Sequence, residues 1–231
     1  MTAGPDIRAV PDPAAAAADL LAGHVRAGSH IALTGGSTPR RSYARLAEMD
    51  LDWSAPTLWF GDERCVAPDD ERSNYRMARE ALLDPAGARA ERIRGELGPE
   101  EGAADYESRL RTAFDQALPV LDLVLLGLGS DGHCASLFPG RPELDVTDRA
   151  VVAVPEAGLE PFVARVSLTL AAINAGREVV FLVTGAEKAE AAARAFGGTP
   201  DPDTPASLVA PESGALTVLM DAAAAERLEV A

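Results

Sequence analysis

The chain is almost without lysine. Of its 231 residues, 21 are basic, and Lys188 is the one that is not arginine. Positive charge is scarce overall: 36 acidic residues leave a net charge of −15. A chain this acidic makes a poor nucleic-acid binder, which needs a basic face to displace counterions, so no nucleic-acid partner is expected. It is also repelled by anionic membrane surfaces. A small anionic substrate stays open, because bulk charge is screened within about 8–10 Å and a few cations in a cleft act locally. Cysteine is limited to Cys65 and Cys134, which form no CxxC motif; the expectation is reduced thiols and a cytoplasmic location. With three scattered histidines, they give no metal-ligand spacing, so no metal site is expected. No apolar run reaches the roughly 18 residues of a membrane span, so no membrane association is expected. The first residues lack a basic start followed by an apolar core, and no secretory signal is expected. No internal repeat is visible.

What is present reads as an ordinary globule, 47% hydrophobic and 25% charged. The length favours a single large α/β domain over 1–231, with two small domains as the fallback. Strand and helix signals alternate. Asp12-Pro13 is an N-cap with proline at the first helical position, opening an Ala-rich helix toward Gly28. Strands are expected at His30–Thr34, Thr57–Phe60, Leu121–Leu126, Val151–Val154, Val163–Leu168, Val179–Thr184 and Leu216–Met220. Helices are expected from Pro39 through Tyr43 and Leu46, from a Ser73 cap to Leu83, up to about Leu118, and over Glu187–Phe196. Gly197–Pro205 reads as a surface loop. Near-continuous apolar strands between helices predict a three-layer α/β/α, Rossmann-like domain with a mainly parallel sheet.

Ligands of such sheets bind beyond the carboxyl ends of the strands, and three polar segments fall there. Gly35-Gly36-Ser37-Thr38-Pro39 lets backbone approach a ligand and ends at a helix N-terminus that suits an anion. It is a phosphate cradle or a plain strand-to-helix turn, and it is not a Walker loop, since no Gly-Lys-Ser/Thr follows. Gly61-Asp62-Glu63-Arg64 puts three charges after an apolar strand. Arg64 either grips a phosphate, oriented by Asp62 or Glu63, or sits in a surface ion pair. Gly127–His133 matches G-x-G-x-x-G, but mid-chain and without the acidic residue a dinucleotide site needs. Its Asp131 and His133 are the better clue: a histidine titrates near working pH and can act as general base, with Asp131 holding its tautomer. A capping or buried histidine is the alternative. His24 and His30 read as structural, and Cys134 as a core residue. Lys188 opens a helix after a strand, where its amine reaches a phosphate at the same sheet end or lies exposed; a lysine kept against the arginine background favours the former.

These segments together resemble the 6-phosphogluconolactonase family. The resemblance is carried by Leu33–Pro39, Phe60–Arg64, Ser73-Asn74-Tyr75 with Met77–Glu80, Gly127–His133 continuing through Ala135–Gly140, Arg165–Thr169 and Thr184–Ala189, in family order across nearly the whole chain. It implies hydrolysis of 6-phospho-D-glucono-1,5-lactone to 6-phosphogluconate in the oxidative pentose phosphate pathway, without a cofactor. It also implies that His133 activates water beside Asp131. Arg64 and Lys188 would bind the phosphate with the Gly35–Ser37 loop, Asp62 would line the site, and Arg165 would lie at its edge. The sister amino-sugar-phosphate isomerases carry a glutamate five residues after the histidine and an Asp-Glu-Tyr at the strand end. This chain has Phe138 and Asp62-Glu63-Arg64 there, so the isomerase is the lesser expectation. A non-catalytic sugar-phosphate sensor is the third, and would need no base. Many of the lactonases have a histidine shortly before Ser-Asn-Tyr; here Asp69 and Asp70 stand there, which bears on secondary contacts. No oligomeric state is implied.

Overall fold

In the computed structural model, residues 4–116 and 118–228 are described. The first strand, β1 (Asp6–Ala9), has no counterpart among the strands expected from the sequence. Asp12 then accepts the amide of Ala15 (3.2 Å) and Pro13 opens α1 (Pro13–Arg26). β2 (His30–Leu33) leads through a glycine turn to α2 (Ser37–Ala47), and β3 (Thr57–Phe60) follows. β4 (Asp62–Arg64) is a short strand of charged residues. Ser73 caps α3 (Asn74–Ala78) by accepting the amide of Arg76 (3.1 Å), and the helix runs on through a π turn, Arg79–Leu83, into α4 (Asp84–Ala86). α5 (Pro99–Phe114) ends earlier than expected, at Asp115, which takes a left-handed φ of 50°. β5 (Leu123–Gly127), β6 (Val151–Val154), β7 (Arg165–Leu168), α6 (Leu170–Asn174), β8 (Glu178–Val183), α7 (Ala189–Phe196) and β9 (Ala215–Met220) complete the order.

The principal sheet has six strands in the order β1-β9-β8-β5-β2-β3, and every pairing in it is parallel. Its central strands are apolar throughout because helices flank the sheet: Leu123–Leu126 and Val179–Val183 are buried at every position. The core is continuous from α1 and α2 across the sheet to α7.

Val151–Val154 and the Val163–Leu168 segment do not join the parallel sheet. With β4 they form a small antiparallel sheet, order β4-β7-β6. Period and composition identify a strand but not its direction or its sheet. Gly61 joins the two sheets: its amide donates to Leu33 O and its carbonyl accepts from Leu168 N, both at 2.8 Å.

The strand order reverses between β2 and β5. From β2 the chain moves to β3 on one side; from β5 it moves to β8 and β9 on the other. A crevice forms beyond the carboxyl ends of strands at such a point. The loops leaving β2 and β5 are Thr34–Gly36 and Leu128–His133.

Candidate active site

The loop after β5 folds back on itself. Gly129 N donates to His133 O (2.8 Å) and Gly132 N to Gly129 O (3.1 Å). This closure turns two side chains that are two residues apart toward each other. His133 Nδ1 lies 2.6 Å from Asp131 Oδ1, which also accepts the His133 amide at 3.1 Å. A carboxylate only accepts, so Nδ1 carries a proton, and it is Nε2 that holds the lone pair of the neutral ring. Burial alone would raise the Asp131 carboxyl, but the hydrogen bond and charge of His133 outweigh it and hold the group below its ordinary value. Two glycines make the arrangement possible. A Cβ at Gly129 would stand 2.1 Å from His133 Nδ1 and 2.5 Å from Asp131 Oδ1, and Gly132 has a φ of +95°.

His133 lines a cavity of about 250 Å³ together with Gly35, Gly36, Asp62, Arg64, Arg165 and Lys188. A second lobe of about 200 Å³ shares Gly35, Gly36 and Lys188 and reaches Ser37 at the start of α2. Gly36, at φ +115°, is the residue before that helix, and no side chain caps it. Its N-terminal amides and dipole therefore face the lobe as an anion site. A larger depression of about 870 Å³, between α5 and β6, contains none of these groups.

Arg64 and Arg165 stand opposite each other in the β4–β7 register. Like charges placed so are unfavourable unless an anion joins them. Arg165 is 3% exposed; its Nη2 donates to Leu159 O (3.0 Å) and Pro161 O (3.1 Å), while its buried Nε finds no partner among the described residues. Burial pulls its guanidinium below the ordinary value, and the Asp62 charge opposes that. Arg64 Nη1 donates to Arg72 O at 2.5 Å, and its buried Nε likewise finds no partner among the described residues. Three cations thus converge on one cleft of a chain whose net charge is −15.

A family profile for glucosamine-6-phosphate isomerases/6-phosphogluconolactonase matches residues 9–218. The chain belongs to this family. Among its relatives, a 6-phosphogluconolactonase of Nostoc sp. is 41% identical over 208 residues, covering 87% of this chain and 85% of the relative. The 6-phosphogluconolactonase of Homo sapiens is 40% identical over 178 residues, covering 75% and 69%. The solved 6-phosphogluconolactonase from Trypanosoma cruzi superposes with a TM-score of 0.86 at 31% identity, over 100% of this chain and 99% of that one. A monomeric glucosamine-6-phosphate deaminase superposes with a TM-score of 0.81 at 21% identity, a likeness of fold.

The site residues expected from the sequence gather at this one end of the family fold. His133, Gly35, Gly36, Ser37, Asp62, Arg64, Arg165 and Lys188 line the two lobes, and Asp131 stands behind His133. Three local expectations are corrected. Neither Asp62 nor Glu63 orients the Arg64 guanidinium. Asp62 instead accepts from Ser136 Oγ (2.6 Å) and Asn74 Nδ2 (3.1 Å). Glu63 accepts the amides of Arg64, Asn74 and Tyr75, each at 2.7 Å, and so ties β4 to the start of α3. Burial pushes the Glu63 carboxyl up, and these three amides work against it. Second, α2 begins at Ser37 rather than Pro39, and Thr38 Oγ1 pairs with Thr184 Oγ1 at 2.6 Å. Third, Lys188 ends a 3-10 turn, Ala186–Lys188, that precedes α7.

The sequence reading missed the residues that hold these parts still. Tyr43 Oη bonds the amide (3.0 Å) and carbonyl (2.9 Å) of Thr34, and Tyr106 Oη does the same for Phe60, at 2.8 and 3.0 Å. Each buried phenol pins a strand end just before a site loop. Asp70 holds Arg72, whose carbonyl receives Arg64. Burial pushes the Cys134 thiol up to about 12, which leaves it inert beside His133.

Proposed function

We propose that His133 is the general base with which this chain hydrolyses 6-phospho-D-glucono-1,5-lactone to 6-phosphogluconate, a reaction of the pentose phosphate pathway. The observation that carries this is the joining, in one cleft, of an aspartate-bound imidazole with Arg64, Arg165 and Lys188. The 6-phosphogluconolactonase relatives supply the reaction. The cations supply the recognition of a phosphorylated sugar.

In this mechanism Asp131 keeps the proton on Nδ1 and Nε2 takes one from water, which attacks C1 of the lactone. A positioned base of this kind contributes about 10²–10⁴-fold. The imidazolium formed is steadied by the Asp131 carboxylate. It then returns the proton to the departing ring oxygen, so acid and base are one residue. The phosphate, far from the reacting carbon, binds Arg64, Lys188 and the Gly35–Ser37 amides. Each charge-assisted hydrogen bond there is worth about 1.5–3 kcal/mol, and that energy orients C1 toward His133. Arg165 packs on the same phenyl as His133, Phe138, and so stands at the end of the cleft where charge builds on the C1 oxygen.

Neither redox nor group-transfer chemistry is needed, so we assign no cofactor. We take 1–231 as one lactonase domain acting in the cytoplasm, in keeping with its two free thiols. Among the described residues, no helix is long and apolar enough to cross a membrane. The test is His133→Ala in a coupled assay, in which glucose 6-phosphate dehydrogenase makes the lactone and 6-phosphogluconate dehydrogenase reports the product. Activity should fall by about 10²–10⁴-fold with circular dichroism unchanged. A folded variant within about threefold of wild type would remove His133 from the mechanism.

A further inference from the structure

The hydrogen bond from Asp131 fixes one edge of the His133 imidazole, but a single bond leaves the ring free to swing about its axis. The second constraint comes from Phe138, a residue to which the reaction scheme gives no part. Its phenyl is 1% exposed, and its centroid lies 4.6 Å from that of the imidazole at an interplanar angle of 44°. The same phenyl carries the Arg165 guanidinium, whose Cζ is 5.2 Å from the ring centroid. Behind the phenyl runs the segment that accepts from Arg165 through Leu159 O and Pro161 O. Gly158, in that segment, has no side chain where one would strike the phenyl: a Cβ there would lie 3.0–3.1 Å from Phe138 Cδ1, Cβ and Cγ.

We infer that Phe138 is a positioning residue for His133, and that Gly158 is glycine to admit its ring. The phenyl sets the imidazole plane and so the direction of the Nε2 lone pair. It also separates the imidazole from Arg165, whose charge would otherwise oppose the imidazolium formed in the reaction. Aromatic rings attract cations, and here one phenyl serves a permanent cation, Arg165, and a transient one, the His133 imidazolium. This inference rests on His133 being the base, and the arms of the test separate the two.

The experiment measures kcat and KM for Phe138→Leu, Phe138→Met and Gly158→Ala, with His133→Ala alongside. Phe138→Leu removes the flat ring, and Phe138→Met keeps most of the volume without it. Gly158→Ala keeps the ring and displaces it by a few tenths of an ångström. Misplacing a reacting group by about 1 Å costs about 10²-fold, so Phe138→Leu and Phe138→Met should lose roughly 10- to 100-fold in kcat with KM nearly unchanged. Gly158→Ala should lose a smaller factor in the same parameter. A role in packing alone would be rescued by methionine and would not touch kcat selectively. The chain has three histidines, so nitrogen–proton correlation spectra of the ring resolve His133. Wild type should show the Nδ1–H tautomer, and the Phe138 variants should keep it because Asp131 holds it, so that their loss of kcat reports ring direction and not tautomer. If Phe138→Leu fails to fold, Gly158→Ala decides. Full kcat in Phe138→Met or in Gly158→Ala, with an inactive His133→Ala, overturns the positioning role and leaves the base standing. An active His133→Ala overturns both.

Discussion

Gly129→Ala tests the Asp131–His133 pair without touching either residue. The backbone at Gly129 has no positive φ, so alanine is conformationally acceptable there. The added methyl would nonetheless stand 2.1 Å from His133 Nδ1, 2.4 Å from His133 Cε1 and 2.5 Å from Asp131 Oδ1. Opening the first contact to 3.0 Å, the shortest that a real Cβ shows, moves the imidazole by about 0.9 Å. A shift of that size breaks a 2.6 Å hydrogen bond, and with it the hold on the tautomer. It also turns Nε2 away from the water it must deprotonate. A misplacement of about 1 Å costs about 10² in rate, or roughly 2.7 kcal/mol of barrier. The imidazole is at the cavity wall and can move into open space, so the fold should survive. Gly129→Ala should therefore fall at least about 100-fold in kcat in the coupled assay, with its melting transition still cooperative. A folded Gly129→Ala with kcat within about threefold of wild type would refute the claim that this pair performs the chemistry.

If Lys188 binds the phosphate, Lys188→Ala should lose about 1.5–3 kcal/mol, or roughly 10- to 150-fold in kcat/KM, mostly in KM. Lys188→Arg should recover part of it, and the penalty should vanish with unphosphorylated gluconolactone; equal losses on both lactones would remove Lys188 from the phosphate site. Asp131→Asn should lower kcat by about 10²–10⁴-fold, because the amide no longer holds the tautomer. Asp131 is also held below its ordinary carboxylate value, so its stabilising contribution is complete above about pH 4 and is lost as pH falls through its lower folded value. The melting-temperature gap between wild type and Asp131→Asn should accordingly narrow on acidification below about pH 4. A gap that stays constant down to about pH 2.5 would refute that linkage.

The sequence alone determined the alternation of strand and helix and the residues of the cleft. Buried strands such as Leu123–Leu126 are apolar at every position because both faces are covered, and that composition is legible without coordinates. Glycine runs, isolated charges and Asp131-Gly132-His133 at the ends of apolar segments stand out because they are costly anywhere but at an open strand end. Tertiary structure decided the rest. Strand direction is set by the partner, so only the fold sent Val151–Val154 and Arg165–Leu168 into a separate antiparallel sheet and brought Arg165 opposite Arg64. Which acceptor a side chain reaches depends on distances between segments far apart in the chain. Asp62 therefore turns to Ser136 and Glu63 to the start of α3 rather than to the guanidinium of the adjacent arginine, and Phe138 meets His133 and Arg165 together. Local pattern carries the chemistry each residue can perform; only packing between distant segments fixes which neighbour it performs it with.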